Sequence, residues 1–334
     1  MSGPLRLRPD GLATGPQDPV PGPPARRPGS IRRTTSIDMR RGAPGDEQEV
    51  LGVGRDLLTR ADGTTKVVDA ARVVATVDRI GIVTSFASEP PVPALDGLVG
   101  EPVRSGLRRR VDALAGEHRE RATVLHQILD DLPMAALISG YGASREVPDF
   151  TMPPESAAGM TDLCSGWRAG ATMLGHLETT GLFPIPLGPD APPLTDADDP
   201  LGWHDLPELQ RRSIRRTRRL DVVLVDGVAE VDVHYRDSHL GPGGEVEDVL
   251  HEYRLAVTVD PVSLEVRSAT AHAHVLPWPE CPGALASAER VVGEPVTGLR
   301  PLVALRFTGT STCTHLNDSL RSLAGVQSLV AALR

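Results

Sequence analysis

A stretch near the start of this chain, "SIRRTTSID" at Ser30–Asp38, comes back as "SIRRTRRLD" at Ser213–Asp221. Three more matches follow in the same order. "RVVATVD" at Arg72–Asp78 returns as "RLAVTVD" at Arg254–Asp260, and "LVGEPVRSGLRRRV" at Leu98–Val111 as "VVGEPVTGLRPLV" at Val291–Val303. "TVLHQILDDL" at Thr123–Leu132 answers "TCTHLNDSL" at Thr312–Leu320, which sets His126 opposite His315. The offsets all fall between about 182 and 193 residues, a regularity that chance does not produce. The chain reads as two copies of one unit, and any fold must accommodate both. The copies span residues 30–140 and 213–334, with a helical segment and a Pro/Asp-rich connector at 141–212 between them. Residues 1–29 are rich in Pro and Gly with almost no apolar periodicity, the composition of a disordered tail.

The second copy carries four runs of strand character. "RRLDVVLVD" and "VAEVDVHYRDSHL" alternate or are rich in Val, and "VEDVLHEYRLAVTVDP" and "LEVRSATAHAHVLP" follow, broken at Asp260–Pro261. Tight turns between consecutive runs imply an antiparallel meander. Helical patterns come next: one after Cys281, one at "PVTGLRPLVALR" that reads as helix or strand, and a terminal helix. That last helix presents Leu316, Leu320, Leu323, Val326, Leu329 and Val330 as one apolar stripe. The expected class is α+β, a meander sheet covered by helices on one face, with the two copies packed as a pseudo-dimer.

Composition removes several functions. A net charge of −9 lacks the positive field that nucleic acid requires, and 3% aromatic residues leave few stacking platforms. No apolar run approaches the roughly 20 residues of a membrane span, and no signal peptide is visible, so the expectation is a cytoplasmic protein. Three cysteines, Cys164, Cys281 and Cys313, are too few and too scattered for a disulfide framework. Phosphate loops, nucleophile elbows, His-Glu-x-x-His helices and dinucleotide fingerprints do not occur. "RRTTS" at Arg32–Ser36 has the pattern of a basic-directed phosphorylation site, but at a strand edge it reads as structure.

Chemistry concentrates in the second copy. Thr312 reads as a helix N-cap, which puts Cys313 and His315 in the first turn, where free N–H groups and the helix dipole lower a thiol's pKa. Residues two apart on a helix point about 200° apart, so sharing one ion requires an irregular turn. Cys281, between prolines, marks another helix start. His272 and His274 share a strand face, a pattern found in metal ligands and more often on solvent-facing strands. Cys164 lies in a helical pattern of the middle region, near Asp162 and Trp167. Asp237, Glu252 and Asp318 are candidate third ligands or bases. The first copy has Val124 where the second has Cys313, and has no counterpart of Cys281, His272 or His274.

These residues resemble the DUF2889 family, a bacterial domain of unknown function. The resemblance rests on Arg215–Arg216, Arg236–Asp237, His251–Glu252, the Pro-x-Cys at Pro279–Cys281, "VVGEPV", and the Cys-Thr-His-Leu at Cys313–Leu316. It covers the second copy well and the first faintly. Family members often carry a further cysteine in an Asp-x-Cys setting beyond the Cys-Thr-His-Leu helix. Here the matching "TDLC" follows the first copy and supplies Cys164. The expectation is a metal-binding accessory protein with Cys281, Cys313, His315 and Cys164 as ligands for zinc or an iron–sulfur species. The alternatives are a cysteine-dependent acyl hydrolase or transferase, with Cys313 as nucleophile and His315 or His274 as base, and an interaction module without chemistry.

Overall fold

The computed structural model describes residues 12–42, 46–145, 151, 154–244 and 246–334; residues 1–11, the first part of the expected tail, lie outside them. Runs rich in Val, Thr, Leu and Ile, bounded by turn residues, make eight strands: β1 Ser30–Arg41, β2 Gln48–Thr59, β3 Thr65–Val77, β4 Val83–Glu89, β5 Ser213–Val225, β6 Val228–Leu240, β7 Glu247–Val259 and β8 Val266–Val275. They form one antiparallel sheet in the order β4-β3-β2-β1-β5-β6-β7-β8. Each half of the chain is a four-strand meander. The halves meet where β1 pairs with β5, with Thr35 opposite Arg218 and Ser30 opposite Val223.

Among the described residues eight α-helices accompany the sheet: α1 Leu107–Leu114, α2 Gly116–Glu120, α3 Val124–Ser144, α4 Pro154–Met160, α5 Thr172–Thr180, α6 Leu299–Arg306, α7 Thr314–Ser322 and α8 Val326–Ala332. Helix α3 packs on β1, β2, β3 and β5, α7 on β7, and α8 on β1 and β5. Two apolar cores result, one per half. Ile31 of the first half packs in the second core, and Ile214 of the second packs in the first.

Several elements differ from expectation for local reasons. The terminal stripe is buried throughout, but the helix is broken by a 3-10 turn at Leu323–Gly325. A Cβ on Gly325 would lie 2.8 Å from Arg33 Nη1, so the chain bends where it crosses a buried guanidinium. "PVTGLRPLVALR" is a short 3-10 turn followed by α6. The stretch Cys281–Val291 is 3-10 in character, with Pro282 in its first turn. Cys164 is not inside a helix; it precedes a 3-10 turn at Ser165–Trp167 with an extended backbone. Helix α3 runs to Ser144, past the boundary set at residue 140.

The face of the sheet away from the helices is also covered at its centre. Part of the expected tail, residues 12–29, lies there with the 182–210 connector. Gln17 forms a bridge with Val275, Val20 N donates to Glu252 Oε2 at 2.8 Å, and Arg26 pairs with Asp199. Proline-rich backbone has little freedom to lose, and its carbonyls accept from buried guanidiniums: Arg32 Nη2 to Pro24 O, and Arg236 Nη1 and Nη2 to Pro192 O and Val20 O. His204 is clamped between Thr34 Oγ1 at 2.9 Å and Ser36 Oγ at 2.8 Å. Ser36 of the "RRTTS" pattern is thus covered and buried.

Two arginine pairs, Arg32–Arg33 of β1 and Arg215–Arg216 of β5, sit at the sheet centre. On the covered outer face Arg32 of β1 binds Asp221 of β5, while Arg215 of β5 binds Asp38 of β1. On the helix face Arg33 grips Asp56 through two 2.7 Å bonds, and Arg216 grips Asp237 at 3.0 and 3.1 Å. Arg33 and Arg218 are 0% exposed. Such bidentate pairs satisfy charges that would otherwise be costly to bury. Among the described residues no helix is long and apolar enough to cross a membrane.

Candidate functional site

On the helix face of the second half, β6 and β7 place Asp237 directly opposite His251, at a register shift between Asp237 and Ser238. Helix α7 begins above them at Thr314 and brings His315 down as its second residue. The two imidazoles stack, with ring centroids 3.7 Å apart at 19°. His251 Nδ1 lies 3.4 Å and His315 Nε2 4.0 Å from Asp237 Oδ2, and both nitrogens are buried without a hydrogen-bond partner. Among the described residues, one group of three His, Cys, Asp or Glu donor atoms lies within 4.8 Å of one another: that of Asp237, His251 and His315.

A second layer fixes the carboxylate. The Tyr235 hydroxyl donates to Asp237 and accepts from Arg216 Nη2 at 2.7 Å. Arg216 also binds Asp318 of α7 at 2.9 Å, and Asp318 in turn binds Arg108 of α1 at 2.7 Å. Arg218 binds Asp131 of α3 through bonds of 2.7 and 3.0 Å. The site is therefore tied into helices of both halves. Burial pushes the Asp237 carboxyl up, but Arg216 and the two imidazoles overcome it and hold the group well below the usual carboxylate range. Burial, reinforced by His251, holds His315 well below the usual imidazole range, so it is a neutral lone-pair donor.

The three cysteines gather beside this group. Cys313 is the residue before α7, with φ −135° and ψ 130°, so the N-cap position is Cys313 and not Thr312. Its Sγ is 3.7 Å from His315 Nδ1 and accepts from the Tyr253 hydroxyl at 3.3 Å. The irregular entry to α7 thus does what a regular turn would not, placing thiol and imidazole side by side. Ser165 N donates to Thr312 O at 2.9 Å and Ser165 Oγ to Glu280 O at 2.5 Å, which pins the Cys164 turn between the Cys281 and Cys313 segments. The expected drop in thiol pKa does not occur. Burial raises Cys313, raises Cys281 strongly, and pushes Cys164 up to about 11.

Other candidates fall elsewhere. Asp318 is bound to arginines, and Glu252 faces the opposite side of the sheet, accepting from His234 at 2.6 Å and Arg236 at 2.7 Å. His272 is exposed on β8, and His274 is half-buried on the same strand. His251, Tyr235 and Tyr253 were not singled out from sequence as site residues. The two meanders differ at this point: Asp56 lies opposite Asp69 at a register shift in the first, where the second has Asp237 opposite His251. With the 182-residue offset of the "RVVATVD" match, Tyr253 falls on Ala71.

Residues 214–328 match the family model for DUF2889, a protein of unknown function. This part of the chain is a DUF2889 domain. The DUF2889 match contains Arg216, Tyr235, Asp237, His251, Tyr253, Cys281, Cys313 and His315, whereas Cys164 and Arg108 come from outside it. No curated protein and no solved structure matches the chain.

Proposed function

We propose that the DUF2889 domain binds one divalent transition-metal ion through Asp237, His251 and His315, inside a fold whose two halves are diverged copies of one unit. The observation that carries the reading is the pair of unpartnered imidazole nitrogens facing a buried carboxylate within 4.8 Å. Two imidazoles and one carboxylate suit zinc or a neighbouring first-row ion rather than magnesium or calcium. A neutral His315 needs no deprotonation to ligate. Arg216 on the far side of Asp237 offsets the carboxylate's charge, so the site favours a labile ion over a permanently locked one. With three protein ligands a coordination position stays open for water or a small anion.

The repeat supports this assignment. Reciprocal bonds, Arg32 to Asp221 and Arg215 to Asp38, are what a two-fold axis through the β1–β5 ladder requires of an isologous interface. Equivalent positions then divide cleanly. Arg216, Asp237 and His315 have counterparts in Arg33, Asp56 and His126, whereas Tyr235, His251, Tyr253 and Cys313 correspond to Gly54, Asp69, Ala71 and Val124. Of the three proposed ligands, Asp237 and His315 have counterparts in the first half, so His251, with Tyr235, Tyr253 and Cys313 around it, is what sets the second half apart. In the first half Asp69 caps helix α3, its carboxylate accepting from Val124 N at 2.8 Å. The first half is thus a scaffold.

The acyl-transfer reading draws on the 3.7 Å approach of Cys313 Sγ to His315 Nδ1. Burial, which keeps that thiol protonated and 5% exposed, weighs against it as a nucleophile. Elemental analysis of the purified full-length protein after zinc loading decides between them. About one zinc lost in Asp237→Asn and in His251→Gln, with the fold intact, supports the metal site; absence of bound metal in folded wild-type protein, together with rapid alkylation of Cys313, overturns it.

A further inference from the structure

Every cysteine of the chain lies around one phenol. Cys164 comes from the connector between the halves, Cys281 from the 3-10 stretch after β8, and Cys313 from the entry to α7. Tyr253 of β7 donates to Cys313 Sγ, and its own ionisation is opposed by all three thiols. Three unconnected segments do not bring three thiols to one point by composition.

The segments that carry the sulfurs are bonded to one another: Ser165 N, next to Cys164, donates to Thr312 O at 2.9 Å, and Ser165 Oγ donates to Glu280 O at 2.5 Å, next to Cys281. The turn carrying Cys164 is pressed close: a Cβ on Gly166 would lie 2.7 Å from Cys281 Sγ, so glycine is what lets it approach. The sulfurs are set wider than the 4.8 Å that joins Asp237, His251 and His315.

We propose that Cys164, Cys281 and Cys313, with the Tyr253 oxygen beside them, form a second metal site, for a thiophilic cation of the zinc type. Each coordinated thiol releases its proton to solvent as the ion binds. The site joins the connector to the DUF2889 domain and adjoins the first site through the contact of Cys313 with His315. It shares no ligand with Asp237, His251 and His315, so either can fail alone.

The test is cobalt and zinc binding to full-length, metal-free protein. Cobalt is expected to give an intense near-ultraviolet thiolate-to-metal band that persists in the Asp237→Asn, His251→Gln double variant and is lost in Cys164→Ser and in Cys281→Ser. Zinc-edge X-ray absorption on the wild-type protein, which needs no variant to fold, should show sulfur neighbours near 2.3 Å. Nitrogen and oxygen neighbours alone, or a band that survives both serine substitutions, would overturn the proposal.

Discussion

His251 and His315 stack at 3.7 Å, one from a central strand and one from a helix start, with their nearer free nitrogens turned to the same oxygen of Asp237. A cation held between those two nitrogens and the carboxylate would satisfy all three groups.

The Tyr235 hydroxyl holds both Asp237 and Arg216. Tyr235→Phe removes that tether without touching a ligand. Zinc affinity should fall about 10–100-fold, the range for outer partners of metal ligands, while the melting temperature moves little. Isothermal titration alongside calorimetry checks both parts, and an unchanged affinity would remove Tyr235 from the site.

Asp56→Ala leaves Arg33 buried without its carboxylate. The expected loss is about 3–5 kcal/mol of folding stability, the usual consequence of breaking one side of a buried pair. Urea denaturation measures it. The first half holds no proposed ligand, so metal bound per folded chain should not change.

Gly188 passes so near β7 that a Cβ would lie 1.5 Å from Val249 O. Gly188→Ala should lift the connector off the strand, breaking Val249 N to Pro189 O and Ala191 N to Glu247 O. Hydrogen exchange at Val249 and Ala191 is expected to accelerate while exchange in β1 and β5 stays slow.

Burial, with the charges of Arg55 and Arg215, holds His204 down to about 3, and burial likewise lowers His126, His234 and His315. The unfolded chain takes up these protons near pH 6.5 and the folded chain does not. Between about pH 6.5 and the lowered values, stability therefore falls as pH falls. Melting temperature should decline steadily from pH 7 to 5, and less steeply in His204→Gln. The raised carboxyls of Asp38 and Asp56 act in the opposite sense, so that comparison isolates the imidazole.

Much of the fold was legible because strand periodicity and turn residues are local signals, and the meanders appear where "VAEVDVHYRDSHL" and its neighbours place them. The outer covering was not. Residues 12–29 have no periodicity, and their order comes largely from partners far along the chain, such as Arg236 and Glu252 with Val20 and Asp199 with Arg26. His315 and the thiols were visible as a motif. His251 was visible only as part of the family resemblance and not as a ligand, since a histidine on a strand acquires that meaning from the register that sets it against Asp237.

The β1–β5 ladder at the sheet's centre takes one strand from each half. Severing the chain in the connector would leave each fragment with a long exposed strand edge whose buried arginines lose their partners across the ladder. The two meanders, joined along that ladder, are therefore expected to unfold together.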